Sequence, residues 1–382
     1  MERLALYIHI PFCKRKCAYC DFNSFEKKEN LVECYIESVC KEIEISRPKE
    51  KCIAGSIFIG GGTPSLIETK YIEEIMQEIT KHYEIKDDCE ISIESNPGTL
   101  NIKKLEAYVN AGINRLSIGL QAVQDKHLKT LGRIHDYRTF EETYSMARTA
   151  GFKNINIDLI FGIPGQSGDE WNETLEKVVG LGPEHLSCYS LKIEAGTMFD
   201  KIYNKNSEKY ANSYPRLPSE EQEREMYHSA IRHLKKNNYK HYEISNFCKE
   251  GFECKHNLTY WKCDKYLGFG AGAHSFEYGK RFRNYLKVEK YIESLDNNRL
   301  PRTDFKKINT KESTFEYIML GLRMIEGIDI KEFKEKFNLE FEAVYKIQIA
   351  KLIKNDLIVK RGCNYCLTEK GLDVANQVMI EF

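Results

Sequence analysis

"LALYIHIPFCKRKCAYC", residues 4–20, decides how the rest of the chain is read. Its first seven residues form an apolar, β-rich run that predicts a strand. The remainder brings Cys13, Cys17 and Cys20 together in one short loop. Zinc fingers gather ligands in fours and disulfide scaffolds use even numbers, so three thiols suit a metal centre with one open position. Three thiolates can hold three irons of a [4Fe–4S] cluster and leave the fourth iron to a non-protein ligand. The plainer alternatives are three ordinary buried cysteines or part of a zinc site. Buried cysteines rarely bunch in a loop carrying Lys14, Arg15 and Lys16, and those cations favour thiolate.

Further apolar runs follow at 56–61, 89–95, 115–121, 154–162 and 185–194. Between them, helical spacing appears at 71–83, 101–112, 138–151 and 169–182. Two of these helices end in Ala-Gly (Ala111-Gly112 and Ala150-Gly151), a glycine stop. Six strands alternating with helices predict a parallel α/β sheet, and loops after such strands carry functional groups. Over residues 1–200 the pattern fits either an open doubly wound sheet or a barrel.

Residues 201–307 read as an extension of the barrel. They comprise a polar, tyrosine-rich surface loop or lid near 200–220, a helix at 219–237 and an irregular segment at 242–285. From 308 to 382, helical runs at 311–325, 329–337 and 341–354 precede a short hairpin and a final helix. That pattern predicts a C-terminal helical, winged-helix-like domain. Its charge is not markedly basic, so a packing or docking role fits better than DNA binding.

Of the 382 residues, 42% are hydrophobic, and 57 Lys+Arg balance 57 Asp+Glu. The balance speaks against a nucleic-acid binder. No run of 18 apolar residues occurs and the start lacks a signal-peptide layout, so a cytoplasmic protein with at most peripheral membrane contact is expected. Its 13 cysteines then read as free thiols or metal ligands.

"FIGGGTPS" (58–65) places three glycines where backbone can approach a ligand closely. With the cysteine loop it resembles the radical S-adenosylmethionine (SAM) enzymes, which implies an α/β partial (βα)6 TIM-like barrel. In that family the amino and carboxylate groups of SAM bind the open iron, and reductive cleavage yields a 5′-deoxyadenosyl radical. "YIHIPFCKRKCAYCDF", "ESNPGTL", "RLSIGLQ", "LGRIH" and "NIDLIFGIPGQ" narrow the resemblance to the oxygen-independent coproporphyrinogen III oxidase family. The resemblance implies that Cys13, Cys17 and Cys20 hold the cluster, that Tyr7 contacts SAM, and that Tyr19 adjoins the adenine. It implies further that Gly61, Gly62 and Thr63 line the methionine end and that Glu94 takes the ribose or amino group. Gln121, Arg133 and Asp158 would complete the pocket. Glu94, Gln121 and Asp158 sit near predicted strand C-termini, and SAM's charges call for carboxylate, amide and cationic partners.

Two features divide the family. Coproporphyrinogen oxidases of this type carry a further cysteine where this chain has Phe22, and "HNLTYW" (256–261) matches the His-Asn-x-x-Tyr-Trp motif of HemW-type heme chaperones. The resemblance therefore implies heme as cargo, with His256 a candidate iron ligand and Tyr260 and Trp261 covering the macrocycle. Heme-accepting proteins such as respiratory enzymes and an electron donor are the implied partners. The rival expectation is a coproporphyrinogen oxidase that decarboxylates propionate side chains. An electron-transfer iron–sulfur protein without SAM ranks last, because it leaves "GGGTP" unused. Cys248, Cys254, His256 and Cys263 have no common zinc spacing, Cys363 and Cys366 are half a zinc site, and "KEFKEKF" (331–337) reads as a solvated helix face.

Overall fold

Strand β1 (Arg3–Ile10) is buried at nearly every position rather than at alternate ones. That pattern belongs to a parallel sheet covered on both faces. The computed structural model describes residues 3–48, 50, 52–205 and 214–382. In it, β1 is followed in space and in sequence by β2 (Cys52–Gly61), β3 (Tyr83–Ser95), β4 (Arg115–Gln121), β5 (Ile155–Phe161) and β6 (His185–Ser190). Each pairs in parallel with the next. Helices α1 (Val32–Ile45), α2 (Thr69–His82), α3 (Ile102–Asn110), α4 (Asp125–Leu131), α5 (Tyr137–Thr149) and α6 (Gly168–Leu181) fill the crossovers. All six expected strands are present. Of these helices, α1 and α4 were not anticipated.

Local chemistry starts and stops these helices. Asn101 caps α3, Asp136 caps α5, and Ser167 with Glu170 forms a capping box on α6. The two Ala-Gly stops hold as expected, with Gly112 at φ +87° and Gly151 at φ +101°.

The barrel stays open, because β1 and β6 pair outward instead of with each other. β1 pairs with β9 (Tyr266–Phe269), and β10 (His274–Glu277), β11 (Lys280–Asn284) and β12 (Arg302–Lys307) continue that edge. At the other edge β6 pairs antiparallel with β8 (Asn246–Cys248), which pairs with β7 (Lys240–Glu243). The expected irregular segment at 242–285 is thus ordered sheet plus the helix Lys255–Trp261. Its glycines and short polar strands hide a pairing that only neighbouring edges supply. Part of the expected lid, residues 206–213, lies outside the described residues.

The C-terminal part has its own three-stranded sheet, β13 (Ile328–Asp329), β15 (Asn364–Leu367) and β14 (Ile358–Arg361) in that order. Helices Thr310–Gly321, Ile330–Phe337 and Lys346–Lys354 pack on it around Ile318, Phe333 and Phe341. This is the winged-helix-like arrangement expected. Among the described residues, no helix is long and apolar enough to cross a membrane.

Candidate functional site: one pocket at the strand ends

The C-terminal ends of β1 to β6 open into a pocket of about 970 Å³. Cys13, Cys17 and Cys20 line it, together with Tyr19, Gly61, Gly62, Thr63, Glu94, Gln121, Arg133 and Asp158. The cysteine loop is strapped down by main chain: Cys13 N–H donates to Phe25 O (3.0 Å), and Ala18 N–H to Leu131 O (3.0 Å). The glycine loop is tied to it in turn, with Gly62 N–H on Ile10 O (2.8 Å) and Thr63 N–H on Phe12 O (2.9 Å). A methyl group on Gly62 would lie 2.8 Å from Phe12 O and 3.0 Å from Cys13 Sγ. Only glycine forms that cradle beside the thiols.

One cation spans the pocket. Arg133 donates to Gly119 O (2.7 Å) and Asn96 Oδ1 (2.5 Å), and its other terminal nitrogen lies 3.5 Å from Cys17 Sγ. Asn96 in turn donates to Thr63 Oγ1 (3.0 Å), whose hydroxyl is 3.6 Å from Cys13 Sγ. Asn96 was missed by sequence reasoning, although it lies in the quoted "ESNPGTL". Its role needs β3, β4 and two loops to meet.

Burial pushes the Cys13 and Cys20 thiols up, against the influence of Lys16. Lys16 favours thiolate as expected, and burial outweighs it. Lys14, Arg15 and Lys16 are exposed, and Lys16 spends its ammonium on Phe22 O (2.8 Å) and Ser24 O (3.3 Å). A positively charged iron core would restore thiolate, since a coordinated thiol is deprotonated.

Opposite the thiols stand two carboxyls. Glu94 accepts from Gly61 N–H (2.9 Å), and burial plus the neighbouring Asp158 raise its pKa to about 7. Asp158, raised by burial, is held by Ser117 and Asn156 at 2.9 Å each. Gln121 is 7% exposed and has φ +74°, at a break in the β4–β5 register. A non-glycine residue in that conformation is strained, and such strain gathers at ligand sites. The donor set of three sulfurs, one guanidinium and two carboxyls suits iron together with a zwitterionic ligand.

The remaining expected residues divide. Tyr260 and Trp261 line the large pocket, as does Phe22, which is 59% exposed. Tyr7 and His256 instead line a smaller cavity of about 170 Å³ behind it, which shares Glu94, Asp158 and Tyr260 with the first. The Tyr7 hydroxyl is bonded to His9 Nδ1 (3.0 Å).

His256 is 1% exposed, with Nδ1 on Ser56 Oγ (2.9 Å) and Nε2 on the Tyr260 hydroxyl (2.9 Å). Burial and then Arg115 lower its pKa to about 3, so the ring is neutral. An axial bond from His256 to a heme iron would require giving up one of those partners. The helix Lys255–Trp261 turns His256 and Tyr260, four residues apart, onto one face against the sheet. Among the described residues, no group of three or more His, Cys, Asp or Glu is arranged to hold a single metal ion. The Cys366 thiol donates to Glu326 O (3.1 Å).

Comparisons with known proteins agree with this architecture. Residues 7–178 match the Radical SAM superfamily, and residues 308–374 match the HemN C-terminal domain. Heme chaperone HemW of Bacillus subtilis is 35% identical over 98% of this chain and 98% of its own length. Heme chaperone HemW of Escherichia coli is 30% identical, covering 98% and 97% respectively. The solved coproporphyrinogen III oxidase (HemN) from Escherichia coli, a radical SAM enzyme, superposes with a TM-score of 0.86 at 22% identity. That superposition covers 100% of this chain and 90% of the other. The chain belongs to the HemW heme chaperone family within the radical SAM superfamily.

Proposed function

We propose that this protein carries heme and hands it to heme-dependent acceptor proteins in the cytoplasm, on a core built for a [4Fe–4S] cluster and SAM. One observation carries the reading: the three-thiol loop, the glycine cradle, the paired carboxyls and the Tyr260–Trp261 aromatic surface open on a single pocket. Cys13, Cys17 and Cys20 would hold three irons of the cluster. Gly61, Gly62 and Thr63 would receive the amino-acid end of SAM, with Glu94 and Asp158 toward its ammonium or hydroxyls. Arg133 would offset thiolate or carboxylate charge, while Tyr19, Gln121 and Tyr7 would shape the remaining walls. When bound and reduced, the cluster supplies an electron for cleavage of the SAM sulfonium. The protein's own part is to position these groups and keep water from them.

Heme would lie against Tyr260 and Trp261. For His256 we propose a holding role: it fixes the Tyr260 hydroxyl, and it becomes an iron ligand only after releasing Ser56 or Tyr260. His256→Ala should then leave the iron-bound heme spectrum in place, and loss of the axial signature would reinstate the ligand role. The division of the chain at about residues 200 and 307 is part of the same proposal, with the C-terminal part as a docking unit.

The deciding experiment pairs two assays on the cluster-reconstituted protein. Heme loaded on the protein should pass to an apo-heme acceptor faster than free heme does. Anaerobic incubation with SAM, a strong reductant and coproporphyrinogen should give no decarboxylated product by mass spectrometry. Turnover of coproporphyrinogen at a catalytic rate would overturn the carrier reading and deprive Phe22 of its diagnostic weight.

A further inference from the structure

The far wall of the large pocket carries polar groups that the cluster loop and the Glu94–Asp158 pair do not use. Glu243 at the end of β7 and Asn246 at the start of β8 are 0% and 2% exposed, and both line the pocket. Glu243 Oε1 accepts from the Ser245 N–H and the Asn246 amide. Glu243 Oε2 and Asn246 Oδ1 have no hydrogen-bond partner among the described residues. Nor do Arg323 Nε and Trp261 Nε1, whose residues line the same wall. Each unmet buried group costs roughly 1–3 kcal/mol, and native structures leave few of them. Two of the four, Arg323 Nε and Trp261 Nε1, are donors, and both residues line the pocket.

The donors are well fixed. The main chain of Arg323 is pinned across the two parts of the molecule, by Ile244 N–H on Arg323 O (3.0 Å) and Ile325 N–H on Tyr242 O (3.0 Å). Its guanidinium carbon sits 4.6 Å from the centre of the Trp261 ring. A guanidinium N–H and an indole N–H beside a flat apolar ring suit a carboxylate on an arm of a planar ligand. Burial raises the Glu243 carboxyl, and the nearby Arg323 guanidinium opposes that rise.

We propose that Arg323 and Trp261, the two donors of this wall, form a carboxylate subsite that grips a propionate arm of heme. The inference rests on the heme-carrying reading above and adds the group by which the cargo is oriented. Arg323 comes from the C-terminal part, so the subsite exists only while that part is seated on the barrel.

The test titrates the full-length, cluster-reconstituted protein with heme and with heme dimethyl ester, which lacks the anionic arms. Arg323→Met should weaken heme binding about 10- to 100-fold, the scale of a charge-assisted hydrogen bond. It should leave ester binding at the wild-type level. Trp261→Phe gives a smaller ring and loses the N–H, so heme should be weakened about fivefold more than the ester. It decides the matter if Arg323→Met fails to retain its cluster absorbance. Equal losses for heme and ester, or no loss for heme, would overturn the subsite while leaving heme carriage intact. A wild-type protein that binds no heme overturns the underlying reading and the subsite with it.

Discussion

Single residues set the charge state of the pocket. Glu94 has a pKa of about 7 in the folded chain against an ordinary value of 4.5. Between those values the unfolded chain loses its proton first, so the folded state binds more protons and stability falls as pH rises. Glu94→Gln removes that penalty. The metal-free variant should be more stable than wild type at pH 8, by roughly 3 kcal/mol, and nearly equal to it at pH 4. Denaturant melts at the two pH values check this. A ligand ammonium beside Glu94 would pull its proton off, so SAM affinity should drop below about pH 7 in the wild type and be weak throughout in the variant. At the thiols, Cys17→Ala should lower bound iron from about four per chain toward zero after reconstitution, read by iron assay and visible absorbance. An unchanged iron content would refute the cluster assignment. The grouping of the three thiols on one pocket was legible in the sequence because their spacing puts them in one short loop. The raised thiol pKa was not, because burial is not encoded locally.

At the scale of elements, the site depends on how two loops are tied together. Gly62 lies where a side chain would press on Phe12 O and Cys13 Sγ. Gly62→Ala should therefore displace the cysteine loop, lowering cluster retention several-fold while the Tm moves little, because the strands beneath are untouched. A variant with normal iron content and a normal cluster spectrum would show that the cradle is not required. Ser167 caps α6 reciprocally with Glu170. Ser167→Ala should cost about 1 kcal/mol in a denaturant melt without altering iron content. Strands and caps of this kind are readable from short windows of sequence. The strands of 242–285 were not, since short polar segments become sheet only where β1 and β6 offer free edges.

Across the whole molecule, the C-terminal part closes the pocket. Residues 372–377 line it, and the carboxylate of Asp373 is held by His228 Nε2 at 2.7 Å from the helix Glu220–Lys236. Asp373→Ala should loosen this cover and leave the barrel alone. Hydrogen exchange should rise in 369–379 and heme should dissociate faster, with a global stability loss of about 1 kcal/mol or less. Protection unchanged in that segment would show that other contacts hold the cover.

The sequence by itself determined the parallel α/β core, the helix stops, the three-thiol loop and the family, because each is written in local periodicity, spacing or motif. Tertiary structure alone decided which face each motif shows. It turned His256 inward onto Ser56 and Tyr260, and it joined Arg133 to Cys17 and Asn96. It also brought Glu243, Asn246, Trp261 and Arg323 to one wall. These groups join segments that are far apart in the chain, and their roles arise from burial and hydrogen bonding. Those properties exist only once distant segments have packed together.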